Sequence, residues 1–321
     1  MPKKTLIFKF GALGDVIMAT PLIKAITNSQ KSSNYTLVTT KPFISVFENW
    51  NNLNIKTIDN ASIIENLKFV LDIRKTQYSQ LFDLQSNDRS RIICLLSGIK
   101  NSVGNHRFPY RHHPAEKWEG QTHIFDRMCK VVEQQGIKVK DKSPLLLAAE
   151  KQKVKVGKWI AQNLETKKPF VILHAGSSKS RPEKRWPYFE QLAYRLDSDG
   201  FGIVWIGGPD DTALNDRLAS AVGIDATGSF TILELAELGR KANFAVTNDS
   251  GPMHILSASG IPIFGLFGPS SKQKNHALGQ GHRALAVVEN WSTSLRPSQA
   301  SLSNLSLDSV INKISEDGLL A

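Results

Sequence analysis

Cysteine is scarce in this 321-residue chain, which contains only Cys94 and Cys129. Each lies in an apolar stretch, so the sequence excludes a disulfide scaffold and a cysteine-based zinc site and favours a cytoplasmic location. No apolar run approaches the roughly 18 residues that a membrane-spanning helix needs. The first lysines precede a glycine-rich turn rather than a small-residue cleavage site, which predicts a first strand and not a signal peptide.

Negative charge is also in deficit, because 40 Lys and Arg residues outnumber 29 Asp and Glu residues and leave a net charge of +11. Such a surplus favours an anionic partner: a nucleic acid, an acidic membrane surface or a phosphorylated substrate. Solubility alone explains it equally well. The absence of a helix-turn-helix, RNP or zinc pattern argues against nucleic acid.

A strand, a glycine turn and a helix follow one another twice along the chain. Residues 5–10 form a β-rich run before Gly11–Gly14 and a helical stretch at 15–27, and residues 169–173 precede His174–Ser178 in the same way. This order is typical of a Rossmann-type βαβ unit. Further strands are predicted at 35–40, 80–85, 202–208, 244–251 and 261–268, and helices at 150–164, 188–196, 214–222, 232–242 and 307–315.

This alternation predicts an α/β protein with parallel sheets covered on both faces. The length suggests two domains at about 150 residues each. We place the boundary near 141–146 and expect Rossmann-like domains at 1–148 and 149–321, facing each other across a cleft. Ligands in such sheets bind beyond the carboxyl ends of the strands, so the loops there are the informative segments.

The first of these loops runs from Phe10 to Val16. Gly11 and Gly14 allow a tight turn and a close approach of a ligand to backbone N–H groups. A dinucleotide fingerprint is excluded, because the third glycine is missing and Asp15 would repel a phosphate. Two interpretations of Asp15 remain open: an N-cap of the following helix, or a general base that projects into the cleft.

The second loop, residues 174–187, carries Ser177 and Ser178 beside a glycine and then a basic cluster of Lys179, Arg181, Lys184 and Arg185. Hydroxyl, backbone and lysine donors of this kind can cradle a diphosphate. An ordinary solvated loop is the alternative. We expect Trp186 to pack in the core rather than stack on a ligand.

Two further loops carry carboxylates. Ser250 and Gly251 lead into a helix whose first amides can bind an anion, although Asp249 or Ser250 could simply cap that helix. Asp210 and Asp211 follow another strand, where they could bind ribose hydroxyls or cap the next helix.

Taken together, these loops resemble glycosyltransferase family 9, the ADP-heptose:lipopolysaccharide heptosyltransferases. The resemblance covers nearly the whole chain and rests on FGALGDVIMATPLIKAI, HAGSS…KRWP and TNDSGPMHILSASGIPIFGLFGPS. It implies a GT-B fold, an inverting mechanism and donor binding mainly by the C-terminal domain. The length of the Lys179–Glu183 insertion and the Pro252-Met253 pair depart from the family pattern, which bears on the identity of the sugar more than on the reaction.

The resemblance assigns roles to particular residues. Asp15 matches the general base, Lys184 a phosphate- or sugar-contacting lysine, and Phe230 a position whose backbone meets the adenine edge. A ribose-binding carboxylate falls on Asp210 or Asp211. In full, the expected donor-binding residues are Ser177, Ser178, Lys184, Asp210, Asp211, Phe230, Asp249, Ser250, Gly251 and His254, although a lone histidine such as His254 is more often structural.

The implied acceptor is the anionic inner core of lipopolysaccharide at the inner face of the cytoplasmic membrane, where the protein could bind peripherally. We expect Gly14, Arg107 and Arg111 to contact it, the two arginines from a basic and aromatic loop at 105–113 that could also be a plain exposed loop. No metal-nucleotide motif is well placed, so no metal or cofactor is expected. Alternatives are another GT-B nucleotide-sugar enzyme, such as an epimerase, and a non-catalytic nucleotide-sugar binding protein.

Overall fold

The computed structural model describes residues 3–29, 33–59, 62–115, 121–165, 168–289 and 297–320. The chain divides into two compact units, Met1–Leu147 and Ala148–Ala321. Both units alternate strands with helices, so the predicted α/β class is confirmed. Within the described ranges, no helix is long and apolar enough to cross a membrane.

The first unit is built on a five-stranded parallel sheet with the strand order β3-β2-β1-β4-β5. The strands are β1 (Lys4–Phe8), β2 (Asn34–Thr39), β3 (Asn54–Thr57), β4 (Gln80–Asp83) and β5 (Ser102–Val103). The helices are α1 (Leu13–Ser29), α2 (Ile63–Thr76), α3 (Asp88–Ser97) and α4 (Ile124–Glu133). In this Rossmann order the strands are added on one side of β1 and then on the other, so the topological switch point lies between β1 and β4. Ligands of such sheets bind at the switch point.

The second unit has a six-stranded parallel sheet with the order β11-β10-β9-β6-β7-β8. Its strands are β6 (Phe170–His174), β7 (Gly202–Trp205), β8 (Ile224–Asp225), β9 (Ala245–Asn248), β10 (Ile263–Phe267) and β11 (Leu285–Ala286). Its helices are α5 (Glu150–Asn163), α6 (Phe189–Ser198), α7 (Thr212–Ala221), α8 (Ile232–Gly239), α9 (Gly251–Ser257), α10 (Lys272–Asn275) and α11 (Leu307–Glu316). The equivalent switch point lies between β6 and β9. The loops that follow these two strands are therefore the candidate ligand site.

Apolar side chains on both faces of the central strands form the cores. All five residues of β6 and all five of β10 are buried, as expected for strands covered on both sides. Trp186 is buried against Phe189, with ring centroids 5.2 Å apart, and its indole N–H donates to the Leu305 carbonyl at 2.8 Å. The expectation that Trp186 packs in the core is therefore confirmed.

Both cysteines are buried and unpaired with each other. Burial raises the pKa of the Cys94 thiol to about 12 and that of the Cys129 thiol to about 11, so both are inert neutral groups near pH 7.

Candidate active site

Asp15 lies in the first turn of α1, beyond the carboxyl end of β1. It is the third residue of the helix, so the N-cap interpretation of Asp15 is wrong. Its carboxylate Oδ2 lies 3.4 Å from Nζ of Lys9, which directly follows β1 and is only 2% exposed. Burial lowers the pKa of Lys9, although the negative charges of Asp15 and Asp83 oppose this shift. The Asp15 side chain keeps 28% of its surface exposed and so remains accessible from solvent.

A second carboxylate, Asp83 at the end of β4, is fully buried behind this pair. The backbone N–H groups of Gln85 and Ser86 donate to its Oδ1 at 2.9 and 2.7 Å, and the Tyr110 hydroxyl donates to its Oδ2. Burial nevertheless raises the pKa of Asp83, because these hydrogen bonds offset the loss of solvation only in part. Asp83 thus fixes the start of the loop after β4 and anchors Tyr110.

The Gln85 side chain positions the glycine turn before α1. Its Oε1 accepts hydrogen bonds from the N–H groups of Phe10 at 2.9 Å and Gly11 at 3.3 Å. From the other side, the Thr40 hydroxyl donates to the Phe10 carbonyl at 2.9 Å. Gly14, an expected acceptor contact, is buried as the second residue of α1. The turn that carries Asp15 is therefore held by side chains from the loops after β2 and β4.

Arg107 and Arg111, the expected acceptor-binding cations, are both exposed and lie on either side of buried Tyr110. The end of their loop is fixed to β5, because the His112 N–H donates to the Ser102 carbonyl at 3.0 Å. The loop therefore presents two solvated guanidinium groups from an anchored backbone.

In the second unit, His174 joins two of the candidate loops at the end of β6. It is 2% exposed, its Nδ1 lies 3.1 Å from the Ser250 hydroxyl, and its Nε2 lies 3.8 Å from Oδ2 of Asp211. Arg185 approaches the other Asp211 oxygen at 3.5 Å. Burial acts to raise the pKa of Asp211, but His174, the Gly208 N–H group and Arg185 together outweigh it and lower that pKa. Asp211 is thus an ionised, largely buried carboxylate.

The two capping interpretations fare differently. Ser250 occupies the N-cap position of α9, but its side chain accepts no capping hydrogen bond there. Asp211 accepts none in α7, yet its Oδ2 accepts the Gly208 N–H at 3.2 Å at the start of the short 3-10 turn before α7. Asp210, by contrast, is half exposed and forms an ion pair with exposed Lys179 at 3.0 Å. Of the two adjacent aspartates, Asp210 has the more accessible carboxylate.

Asn248, buried at the end of β9, holds the loop after β6 in place. Its Nδ2 donates to the carbonyls of Ala175 at 2.9 Å and Gly176 at 3.0 Å, and its Oδ1 accepts from the backbone N–H of Trp186 at 3.1 Å. Gly176 is required in this loop, since a Cβ there would lie 2.2 Å from Oδ1 of Asp211.

Lys184 and Asp249 meet at the same edge of the sheet. Nζ of Lys184 lies 2.6 Å from Oδ2 of Asp249 and 3.4 Å from its carbonyl oxygen, and the Ser270 hydroxyl donates to the same Oδ2 at 2.7 Å. Their side chains are 19% and 9% exposed. Lys184 is therefore a partly buried cation, paired with the carboxylate of Asp249 within the expected donor site.

The two serines of the second loop differ in their environment. The Ser177 hydroxyl is buried and donates to the Arg181 carbonyl at 3.0 Å, so it closes its own loop. Ser178 is exposed, with its hydroxyl 3.4 Å from that of Ser180. Ser178 is thus the more accessible of the two to a ligand.

Two residues expected to contact the donor, Phe230 and His254, take no part in the loop hydrogen bonds described above. Phe230 is half-buried and packs edge-on against Trp159 of α5, with ring centroids 5.1 Å apart. His254 is buried within α9, four residues after Ser250. The part of the chain that the structure describes contains no group of three or more His, Cys, Asp or Glu side chains that could hold a metal ion.

Sequence reasoning missed Lys9, Asp83 and Asn248. The signal that could have found them is a charged or amide residue at the last position of an apolar strand run or just after it, as in FKF, LFD and VTN. Only the sheet order shows that the ends of β1 and β4, and those of β6 and β9, are neighbours.

Two Rossmann-type parallel sheets, each with polar side chains gathered at the carboxyl ends of its switch-point strands, define the GT-B class of glycosyltransferase folds. The family model of glycosyltransferase family 9 (heptosyltransferase) matches residues 67–305. The chain therefore belongs to glycosyltransferase family 9, and the resemblance seen in the sequence is confirmed.

A curated relative with a similar sequence is a heptosyltransferase by name. The chain is 27% identical over 149 residues to lipooligosaccharide heptosyltransferase 2 of Haemophilus influenzae, a match that covers 40% of this chain and 43% of the relative. The match thus spans about two fifths of that relative's length.

Two solved structures share the fold. A glycosyltransferase of family 9 from Veillonella parvula superimposes with a TM-score of 0.81 at 21% identity, covering 98% of this chain and 96% of that one. The Escherichia coli heptosyltransferase WaaC with ADP gives a TM-score of 0.72 at 17% identity, covering 98% and 99%.

Proposed function

We propose that this protein is an inverting glycosyltransferase that moves a heptose, or a related sugar, from an ADP-sugar to the inner core of lipopolysaccharide. Membership of family 9 supports the reaction class, and the relatives named as heptosyltransferases, one of them with ADP, support the sugar and the nucleotide. The observation that carries the proposal is the partly buried Lys184 cation at the switch point of the second sheet, beside Asp249 and a hydroxyl-lined loop.

In this proposal the second unit binds the donor. The diphosphate leaving group gains negative charge in the transition state, and cations and N–H or O–H donors already aimed at it lower the barrier. Lys184 supplies the cation, and the accessible Ser178 hydroxyl and the amides near Ser250 and Gly251 supply hydrogen bonds. Asp249 accepts hydrogen bonds from the sugar hydroxyls, and Asp210, the more accessible aspartate, accepts them from the ribose.

The first unit supplies the base. An acceptor hydroxyl is a weak nucleophile, so a carboxylate must remove its proton as the new glycosidic bond forms, a contribution of roughly 10²–10⁴ in rate. Asp15 is suited to this role because its side chain is partly exposed to solvent and follows an anchored turn. Lys9 orients the carboxylate through its 3.4 Å contact.

In this proposal the acceptor is anionic, and the net positive charge of the chain, +11, favours its binding. The exposed guanidinium groups of Arg107 and Arg111 lie on the loop that Tyr110 ties to Asp83, in the same unit as Asp15. These arginines bind the charged groups of the core, and the fixed loop orients the attacking hydroxyl.

The test is a screen of ADP- and UDP-sugars by thermal shift, followed by ADP release with and without a heptose-deficient lipopolysaccharide acceptor. We expect ADP-sugars to stabilise the protein and ADP release to require the acceptor. Conversion of the donor without acceptor would identify an epimerase-like enzyme instead. Tight donor binding without turnover under any condition would identify a binding protein.

A further inference from the structure

The first unit exposes an unusual amount of apolar surface on two neighbouring helices. Seven large apolar side chains there are each between 37% and 65% exposed. They are Ile64, Leu67 and Leu71 on α2, Ile92, Leu95 and Leu96 on α3, and Phe108 in the loop at 105–113. We call them the α2–α3 apolar face. Contiguous exposed apolar surface on a protein marks a site of protein or membrane interaction.

Hydrogen bonds hold these elements side by side. The Arg89 guanidinium near the start of α3 donates to the Asn66 side chain near the start of α2, at 3.0 Å. Near the other ends, Nε of Arg74 donates to the Leu96 carbonyl at 2.8 Å. The two helices therefore run in the same direction.

Phe108 is attached to the same pair of helices. The Arg91 guanidinium of α3 lies 3.4 Å from the Phe108 carbonyl. The exposed Phe108 ring thus belongs to a loop that α3 itself contacts, and this loop also carries Arg107 and Arg111.

Cations are the charged groups nearest to the apolar stripe of α2, and on α3 the exposed Asp88, which lies between Ile92 and Leu95 on the helical wheel, is paired with Arg91. At 100° per residue, Ile64, Leu67 and Leu71 lie on one side of the helix, with buried Ile73 opposite and buried Val70 at the edge of the stripe. On the same helical wheel the exposed cations Lys68, Arg74 and Lys75 border this stripe, and the acidic Glu65 and Asp72 lie directly beyond Lys68. Asp72 is moreover paired with Lys56.

An apolar stripe bordered by Lys and Arg is the pattern of helices that lie in the interface of an anionic bilayer, with apolar side chains among the acyl chains and cations at the headgroups. We propose that the α2–α3 apolar face docks the protein on an anionic lipid bilayer. This inference rests on the proposed function, because docking brings the site to an acceptor that is itself anchored in a membrane.

The test measures flotation of the full chain with phosphatidylcholine vesicles, with and without phosphatidylglycerol. We expect the wild-type protein to bind the anionic vesicles and the variant Leu67→Glu/Leu71→Glu/Leu95→Glu to bind them at least about tenfold more weakly. The matched control is Val154→Glu/Tyr194→Glu, since both residues are large, about half exposed and in the second unit. This control should float like the wild-type protein.

A second pair of measurements separates electrostatic from apolar binding. Lys68→Glu/Lys75→Glu should abolish the preference for phosphatidylglycerol and leave the fold intact, as judged by circular dichroism. If the triple variant does not fold, the single change Leu71→Ser carries the test, with a smaller loss of vesicle binding expected. The proposal would be overturned by wild-type protein that does not bind the vesicles, or by a Leu67→Glu/Leu71→Glu/Leu95→Glu variant that floats like the wild-type protein. A wild-type dimer that becomes monomeric on Leu67→Glu/Leu71→Glu/Leu95→Glu would assign this face to a second copy of the chain and also overturn it.

Activity assays distinguish failure of docking from failure of the proposed function. Transfer to an acceptor embedded in vesicles should fall in the triple variant, whereas transfer to a deacylated, water-soluble acceptor should be unchanged. If the wild-type protein transfers sugar to neither acceptor, the proposed function fails while the vesicle result stands on its own. Equal transfer by both proteins to the embedded acceptor would contradict docking alone.

Discussion

The ammonium of Lys184 lies 2.6 Å from a carboxylate oxygen of Asp249, although 65 residues separate them in the sequence. The pair forms because the loops after β6 and β9 emerge side by side at the switch point of the second sheet. A donor diphosphate that binds Lys184 must therefore share this cation with Asp249 or displace it. The competition between the two anions makes both residues informative to mutate.

We expect Lys184→Ala to weaken transfer from the ADP-sugar by roughly 1–3 kcal/mol, because a charged hydrogen bond to the diphosphate is lost. Steady-state kcat/KM at low ionic strength measures this loss. The control is Lys179→Ala, which removes an exposed lysine of the same loop and should cost much less. An unchanged kcat/KM for Lys184→Ala would show that this lysine is an ordinary loop residue that does not contact the donor.

Asp249→Asn should separate nucleotide binding from sugar transfer. Removal of the carboxylate leaves Lys184 without its competing anion, so ADP should bind at least as tightly as to the wild-type protein. Transfer should nevertheless fall, because the asparagine is a weaker acceptor for the sugar hydroxyls. Calorimetry with ADP and kinetics with the ADP-sugar check the two halves. A parallel loss of both would show that Asp249 is needed for nucleotide binding or for the fold of its loop.

Gly176 and Gly208 form a matched pair that tests the packing around Asp211. A Cβ at Gly176 would overlap the Asp211 carboxylate, whereas a Cβ at Gly208 would meet no atom within 4 Å. Gly176→Ala should therefore destabilise the second unit by about 1–3 kcal/mol, the usual result of overpacking, and Gly208→Ala should be close to neutral. Chemical denaturation measures both variants. Equal stabilities would show that Asp211 moves away at little cost.

Stability at low pH reports on Asp211. Its pKa in the folded protein is lowered below the unfolded value of about 4, so its ionised form stabilises the fold above that pH. This stabilisation is lost as the pH falls through the lower folded value. The destabilisation by Asp211→Asn, relative to the wild-type protein, should thus be full at about pH 7 and shrink below about pH 4. Exposed Asp210→Asn is the control, and an Asp211→Asn loss that does not depend on pH would contradict this account.

Much of the fold was predictable because buried parallel strands are continuous apolar runs, as in β1, β6, β9 and β10. The strands β5, β8 and β11 have two residues each and leave no such pattern. The sequence analysis does not predict helix α2. Its apolar residues occupy an exposed stripe as well as the buried face, so the sequence lacks a clear 3.6-residue spacing of apolar positions.

The site divides in a similar way. Asp15 directly follows a glycine turn, and Lys184 and Asp249 lie in serine-containing loops, where local sequence marks a ligand site. Asp83 and Asn248 act through residues in other loops, Asp83 through Tyr110 and Asn248 through the loop after β6, and those partners are known only once the strand order is known. The choice between Asp210 and Asp211 also required burial, since adjacent residues of the same type are equivalent in sequence.

The loop at 105–113, which we propose contacts the acceptor, gives a salt-dependent prediction. Exposed charge contacts are screened over about 8 Å at physiological ionic strength. The KM for the acceptor should therefore rise with salt more steeply than the KM for the donor. Arg107→Gln/Arg111→Gln should raise the acceptor KM and flatten that dependence, with ADP affinity unchanged, whereas Lys151→Gln/Lys158→Gln, which removes two exposed charges from α5, should do neither. Equal salt slopes for both substrates would contradict a charged acceptor contact.

The central claim is that Asp15 is the base of a sugar transfer, and Asp15→Asn tests it most directly. The control is Asp88→Asn, which removes an exposed aspartate from the first turn of α3. The measurement is the rate of acceptor-dependent ADP release from ADP-heptose, together with ADP affinity by calorimetry. The account predicts that Asp15→Asn lowers the rate by roughly 10²–10⁴ with ADP affinity retained, and that Asp88→Asn changes neither. Turnover by Asp15→Asn at the wild-type rate, or an equal loss of ADP affinity, would contradict it.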